Sequence, residues 1–160
     1  MMICNGKMET NIREKQEELQ RILVDAENYK RQAEEVVRRV QMIMSSREEI
    51  GTAKKALMSL KAKKRGTEVL IPIGAGSYII GELRNIKSVI IDIGANISLE
   101  KSVEETIEIL ERRDRELEHS IQKFQRIASQ INTKLLELDS RSREIMRELQ
   151  TERELANKEK

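Results

Sequence analysis

The sequence has no tryptophan, one phenylalanine and two tyrosines, so aromatics make up 2% of its 160 residues. Aromatic side chains supply much of the bulk of an ordinary globular core, and this chain has little of it. Proline occurs once, as Pro72, and all but two of the seven glycines fall within residues 66–101. The flanking segments are therefore almost free of helix breakers. One cysteine, Cys4, excludes an internal disulfide framework and reads as an exposed tail thiol. No apolar run approaches the ~18 residues of a bilayer span, so no membrane is expected. The start, MMICNGKMETNIREK, has no apolar core of signal-peptide length. Neither sign of charge dominates, with 30 Lys and Arg against 28 Asp and Glu. A nucleic-acid binder would carry a one-sided basic footprint, so none is expected as partner. Together these absences point to the cytoplasm.

Charge is what the chain has in abundance, at 36% of residues. High Glu, Lys, Arg, Leu and Ile with helical spacing suggests long helices packed side by side. The C-terminal part is the clearest. Alternate steps of four and three from Val103 give Ile107, Leu110, Asp114, Leu117, Ile121, Phe124, Ala128, Ile131, Leu135, Leu138, Ser142, Ile145 and Leu149. Twelve of these fourteen positions are apolar, which is a coiled-coil seam. Ser102 and Glu105 form a capping-box pattern at its start. Asp114 interrupts the seam, as a residue that sets register does.

The N-terminal seam is weaker. Ile12, Leu19, Leu23, Ala26, Ala33, Val37, Val40 and Met44 share one frame, diluted by Gln16 and Lys30. After Ser45 and Ser46 the frame shifts to Ile50, Ala53, Leu57 and Leu60, which predicts a local register slip near Gly51. The helix is expected to end in Lys61, Lys63, Lys64 and Arg65, then Gly66. Cations in a last turn offset the helix dipole, and glycine commonly follows a helix end. The sharper reading of that basic run is a nuclear address or nucleic-acid patch. Near-equal helices around a short insert predict an antiparallel hairpin with both termini at one tip.

The insert divides into four expected strands: Glu68 to Ile73, Ser77 to Leu83, Ser88 to Ile93 and Ile97 to Glu100. Dense β-branched residues favour strands, and Asn85 with the glycine-rich links supplies the turns. Pro72 cannot donate to a ladder, so an edge or bulge is expected there. Two hairpins on one coiled coil have too little of their own chain to cover them, and isolated hairpins are marginal in water. Val69, Ile71, Ile73, Ile79, Ile80, Val89, Ile90, Ile91 and Ile93 are accordingly expected to be exposed and to meet hairpins of other subunits.

A long helix, VLIPIGAGSYIIGEL (69–83), SVIIDIGANISLEKSVEETIEIL (88–110) and a second long helix together resemble archaeal prefoldin alpha subunits over nearly the whole chain. The most specific parts are Val69 to Ser77, Ile91 to Ala95 and the S-x-x-E start at Ser102. The sequence departs from the family in its extension before Met8 and its unusually charged N-terminal helix. The resemblance implies an α+β fold: a long antiparallel coiled-coil hairpin with two central β-hairpins that join an intersubunit β-barrel. It implies a hexamer of two alpha and four beta subunits, with a homo-oligomer or filament as alternatives. It implies an ATP-independent holdase that captures non-native polypeptides at coiled-coil tips and passes them to a group II chaperonin. The expected organisation is a disordered tail at 1–8, a helix at 9–65, hairpins at 66–101, a helix at 102–155 and a polar tail at 156–160. The initiator is Met1, Met2 or Met8.

A holdase needs adaptable apolar surface among charge. Ile12, Leu19, Ile145, Met146 and Leu149 are the candidate client contacts. Met146 lies off the seam and methionine suits varied partners, whereas Ile145 and Leu149 also continue the heptad and can simply pack. No catalytic, cofactor or metal site is expected. Gly74, Gly76 and Gly81 do not make a phosphate loop. His119 has no Cys or His neighbours for a metal. The carboxylates lie along solvated helix faces rather than in a cleft, so the chain does not read as an enzyme. The rival reading is a structural coiled-coil tether that oligomerises without binding clients.

Overall fold

In the computed structural model, residues 2–84 and 87–158 are described, with side chains for 10–84 and 87–155. The element order is α1 (Met2–Lys61), β1 (Glu68–Gly74), β2 (Ser77–Glu82), β3 (Ser88–Gly94), β4 (Ile97–Ser102) and α2 (Val103–Lys158). Helix α1 begins at Met2, so residues 2–8, expected as a tail, are helical, and α2 runs beyond the expected 155. The Cys4 side chain and the expected turn residue Asn85 lie outside the described residues. Among the described residues no helix is long and apolar enough to cross a membrane.

The α2 seam forms as its spacing predicts. All fourteen seam positions from Val103 to Leu149 are buried or half-buried. Its start is a complete capping box. The Glu105 amide donates to Ser102 Oγ at 3.2 Å, and Glu105 Oε2 accepts from the Ser102 amide at 3.0 Å. Glu105 ionises more readily than an ordinary glutamate, chiefly through that bond from the Ser102 amide.

The α1 seam keeps one line of the expected frame, Ile12, Leu19, Ala26, Ala33 and Val40, and replaces the other. The seam runs through Ile12, Lys15, Leu19, Ile22, Ala26, Tyr29, Ala33, Val36, Val40, Ile43, Arg47, Ile50, Lys54 and Leu57, all buried or half-buried. Steps of three and four alternate along all of them, so no register slip occurs near Gly51. Leu23, Val37 and Met44, expected inside, are 57%, 53% and 58% exposed.

The chain divides into two compact units. The first comprises residues up to Gln41 and from Gln122 onward, and the second runs from Met42 to Ile121. In the first, α1 and α2 run antiparallel: Asn11 and Lys15 face Glu152, and Glu18 faces Arg141. Its core is Ile22, Ile145 and Leu149, with Ile12, Leu19 and Leu138 against them. Ile145 is completely enclosed at 0% exposure, worth about 1.5–3 kcal/mol of transfer free energy. Arg39 lies 5.9 Å over the Phe124 ring centroid, a cation–π arrangement on the chain's one phenylalanine.

In the second unit the helices are again antiparallel, and cross-helix ion pairs join Arg47 to Asp114, Lys54 to Glu111 and Lys61 to Glu104. Strands β1 and β2 pair as one two-stranded antiparallel sheet, β3 and β4 as another. The two hairpins repeat each other at an offset of twenty residues: Glu68 pairs Glu82 where Ser88 pairs Ser102, and the register shifts at Pro72/Gly74 and again at Asp92/Gly94. The turns match as well. Ala75 and Gly76, like Ala95 and Asn96, all have positive φ, the two-residue geometry that suits strand twist. In the second hairpin the bulge is tied by the Gly94 amide donating to Asp92 Oδ1 at 2.7 Å.

The hairpins differ in how they are covered. Ile91 is 7% exposed and packs with Leu57, Val103 and Leu110, with Val89 against the same cluster. The Arg113 guanidinium also donates to the Asp92 carbonyl. Ile91 was expected to be exposed. It is instead buried by its own helices, because β4 passes straight into α2 and holds the hairpin against them. Val69 and Val89 are half-buried as well.

Candidate functional site

Among the described residues, exposed apolar side chains occur in both units. In the first unit a groove is lined by Arg13, Gln16, Glu17, Leu19, Gln20, Met146, Leu149, Gln150 and Arg153. Three of the five candidate client contacts, Leu19, Met146 and Leu149, lie along it. Their availability is unequal. Met146 is 50% exposed, while Leu149 and Ile145 are core residues. Ile12 and Leu19 pack against that core. The packing that the heptad allowed for Ile145 and Leu149 is what forms: four of the five stand in the seam, and Met146 lies outside it.

Beside the groove stands a polar clasp that sequence reasoning missed. Lys15 occupies a seam position and is bonded to Glu152 at 2.7 Å and Glu148 at 3.0 Å. Glu152 Oε1 also accepts from Asn11 Nδ2 at 2.9 Å, while its Oε2 is buried without a protein partner. The bond to Glu152, then that to Glu148, raises the Lys15 pKa above its ordinary value. One helical turn further, Arg141 forks onto Glu18 at 2.8 and 3.1 Å. That fork lowers the Glu18 pKa and raises that of Arg141. The missed signal was a lysine on the true seam frame with acids on the facing helix.

In the second unit the open surface is the first hairpin. Side chains of successive strand residues point to opposite faces, so one face carries Val69, Ile71 and Ile79 and the other Leu70, Pro72, Tyr78 and Ile80. Both are apolar. Ile71, Ile73, Ile79 and Ile80 are exposed at 44%, 62%, 50% and 71%. Leu70 and Tyr78, not among the expected interface residues, are exposed too. Gly81 makes room on the first face: a Cβ there would meet Ile71 Cδ1 at 2.7 Å. On the second hairpin, Ile90 and Ile93 are exposed as expected, and Ile97 and Leu99 join them.

Among the described residues no group of three or more His, Cys, Asp or Glu side chains is placed to hold a metal ion. His119 is exposed.

Two helices flanking two bulged hairpins, each hairpin with open apolar strands, are matched by a family profile described as Prefoldin subunit across residues 29–152. The chain belongs to the prefoldin family. Membership gives it the role of a chaperone subunit. It is 32% identical over 111 residues to the prefoldin alpha subunit of Methanobrevibacter smithii, covering 69% of this chain and 75% of that one. It is 26% identical over 129 residues to the prefoldin alpha subunit of Pyrococcus horikoshii, covering 80% and 87% respectively. Among solved structures, the filamentous PFD of Methanocaldococcus jannaschii has the same fold, with a TM-score of 0.66 and 21% identity over 72% of this chain and 95% of that one. The prefoldin fold has long helices and β-hairpins in this order, as the sequence led one to expect.

Proposed function

We propose that this chain is the alpha-type subunit of an ATP-independent holdase that acts in the cytoplasm. It assembles with beta-type prefoldin subunits through its hairpins, holds non-native polypeptides in the groove of the first unit, and yields them to a group II chaperonin. One observation carries the client-binding part: Met146, a flexible thioether side chain, stands half-exposed in a groove where Leu19, Met146 and Leu149 lie among charged and amide groups. A thioether with three free torsions adapts to varied aliphatic surfaces, and the surrounding Arg13, Glu17, Gln20 and Arg153 keep the patch soluble.

The seam residues contribute in a second way. Ile145 and Leu149 reach a client only when the helix ends separate, and helix termini fray at little cost. The test compares Met146→Ser with the parent chain in suppression of aggregation of a denatured client protein. Native mass is measured on the same samples. The proposal expects weaker protection at unchanged mass. Undiminished protection from Met146→Ser, and from Met146→Ser combined with Leu19→Ser, would favour a tether that binds no client.

A further inference from the structure

Lys63, Lys64 and Arg65 lose their helix-end explanation in the structure. Helix α1 stops at Lys61, the one cation in its last turn, and that lysine is paired with Glu104 at 2.6 Å. Lys61 already places a cation at the helix end, so three further cations exceed what the dipole there calls for. All three are exposed.

Their backbone is nevertheless well tied. The Ala62 and Lys63 amides donate back to Ser59 and Leu60. The Thr67 amide and hydroxyl both donate to the Lys64 carbonyl. The Gly66 amide donates to Leu83 at 2.9 Å and the Leu83 amide to Thr67 at 3.0 Å. Gly66 adopts a φ of 85° to make this connection. The last two bonds bring the turn beside Leu83, and so beside its exposed neighbour Arg84.

Four cations thus share one corner of the second unit, and none forms an ion pair with a described carboxylate. The cross-helix cations Lys15, Arg47, Lys54, Lys61 and Arg141 each have one. The acids closest by connection are Glu82, whose Oε1 lies 3.3 Å from where a Cβ on Gly66 would sit, and Glu68, opposite it in the ladder. The corner therefore keeps a positive excess on a fixed backbone.

We infer that this corner docks an acidic polypeptide segment, a run of aspartates and glutamates on a partner protein. Charge complementarity of this kind steers encounter and selects partners. A nucleic acid fits less well. The turn has no aromatic side chain for base stacking, and the near-balance of charge over the chain offers no basic stripe for a phosphate backbone. This docking surface is independent of the client groove and does not rest on it.

The test uses the full chain in the assembled form it takes in solution, with a fluorescein-labelled oligoglutamate peptide as probe and anisotropy as readout at low salt. The triple change Lys63→Glu, Lys64→Glu, Arg65→Glu is expected to weaken binding by about tenfold or more, since it replaces three attractive surface charges with repulsive ones. Arg84→Glu, outside the turn, weakens it to a smaller degree. Lys30→Glu and Lys123→Glu, in the first unit, leave it unchanged, and added salt lowers the parent's affinity. Parent-like binding by the triple variant at unchanged native mass and helical content overturns the inference. Tighter binding of a single-stranded oligoribonucleotide than of oligoglutamate also overturns it. Should the triple variant change in mass, Arg84→Glu decides by the same readout, and parent-like binding then overturns the inference.

Discussion

Arg47 of α1 and Asp114 of α2 meet across the seam through two hydrogen bonds, Nε to Oδ1 at 2.7 Å and Nη2 to Oδ2 at 3.2 Å. Both stand at positions a coiled coil ordinarily gives to apolar side chains, and both side chains are about one-third exposed, at 31% and 32%. A forked pair at such a place matches only one alignment of the two helices, and polar seam residues commonly set register in this way. Asp114→Leu alone leaves the guanidinium only Glu118, at 3.7 Å, and should lower the thermal midpoint by roughly a few degrees. Arg47→Leu with Asp114→Leu should recover the midpoint or exceed it, because an apolar pair of similar volume replaces a pair that costs desolvation. Circular dichroism melts of the three variants at one protein concentration check this. A double variant less stable than Asp114→Leu would refute it.

Acid should loosen the same contacts. Arg47 holds the Asp114 carboxyl below its ordinary pKa, as Arg141 does Glu18 and Lys61 does Glu104. A carboxylate whose folded-state pKa is depressed stabilises the fold above its unfolded value, about 4. That contribution is lost as pH falls through the folded value, so the loss begins below about pH 4. Lys15 has the opposite sign: its raised pKa gives stability that is lost only as pH climbs past 10.5, its ordinary value, through the folded one. Thermal midpoints taken from neutral pH down to pH 3 should fall for the parent and fall less steeply for Asp114→Asn. Parallel slopes would remove Asp114 from the account.

Gly51 and Gly94 should respond oppositely to alanine. Gly51 lies inside α1, and a Cβ there meets nothing within 4 Å. Gly51→Ala should therefore stabilise the helix by about 0.5–1 kcal/mol. Gly94 has equal room but a φ of 103°, and Gly94→Ala should cost about 1–3 kcal/mol in backbone strain. Denaturant midpoints of the two variants measure both. A destabilised Gly51→Ala would mean that its surface is covered in the assembly.

In the first unit, burial separates Ile145 from its neighbour Met146. Ile145→Ala should destabilise by about 2–5 kcal/mol because it opens a cavity at a fully enclosed site. Met146→Ala should change stability by less than about 0.5 kcal/mol, as surface changes do. Equal losses in urea melts would show that Met146 is buried in solution.

The α2 seam, both hairpins and their turns were legible because their signals are local. Twelve apolar residues at fourteen heptad positions need no partner to be recognised, and a pair of positive-φ positions announces itself in Gly-Ala-Gly and Gly-Ala-Asn. One line of the α1 frame, Ile12 to Val40, was legible, and the other was not, for a physical reason. At Ile22-Leu23, Val36-Val37 and Ile43-Met44 adjacent residues are both apolar, so two frames compete. The true frame carries Lys15, Arg47 and Lys54, which look wrong for a seam until the facing acids Glu152, Asp114 and Glu111 are known. That information is tertiary. Ile91 was misplaced for a like reason: β-branched alternation shows that a face is apolar, but not whether its own helices or another chain will cover it.

The two faces of the first hairpin pose a harder problem than closing a barrel. A barrel strand turns one face to the interior and the other to water. The second hairpin suits that arrangement, with Val89, Ile91 and Leu99 on one face, and Ser88, Asp92, Ser98 and Glu100 beside Ile90 on the other. The first hairpin does not, because Leu70 pairs Ile80 and Pro72 pairs Tyr78 on the face that closure would leave outside. Exposed apolar patches of this kind mark contact surfaces, so a second layer should cover it. Ile79→Lys, on the face shared with Ile71, and Ile80→Lys, on the opposite face, should then each reduce the native mass of the assembly, whereas Ile90→Lys on the second hairpin should leave it intact. Native mass spectrometry of the three variants separates the cases. Full mass retained by Ile80→Lys would mean that one covered face is enough and that the second stays in water.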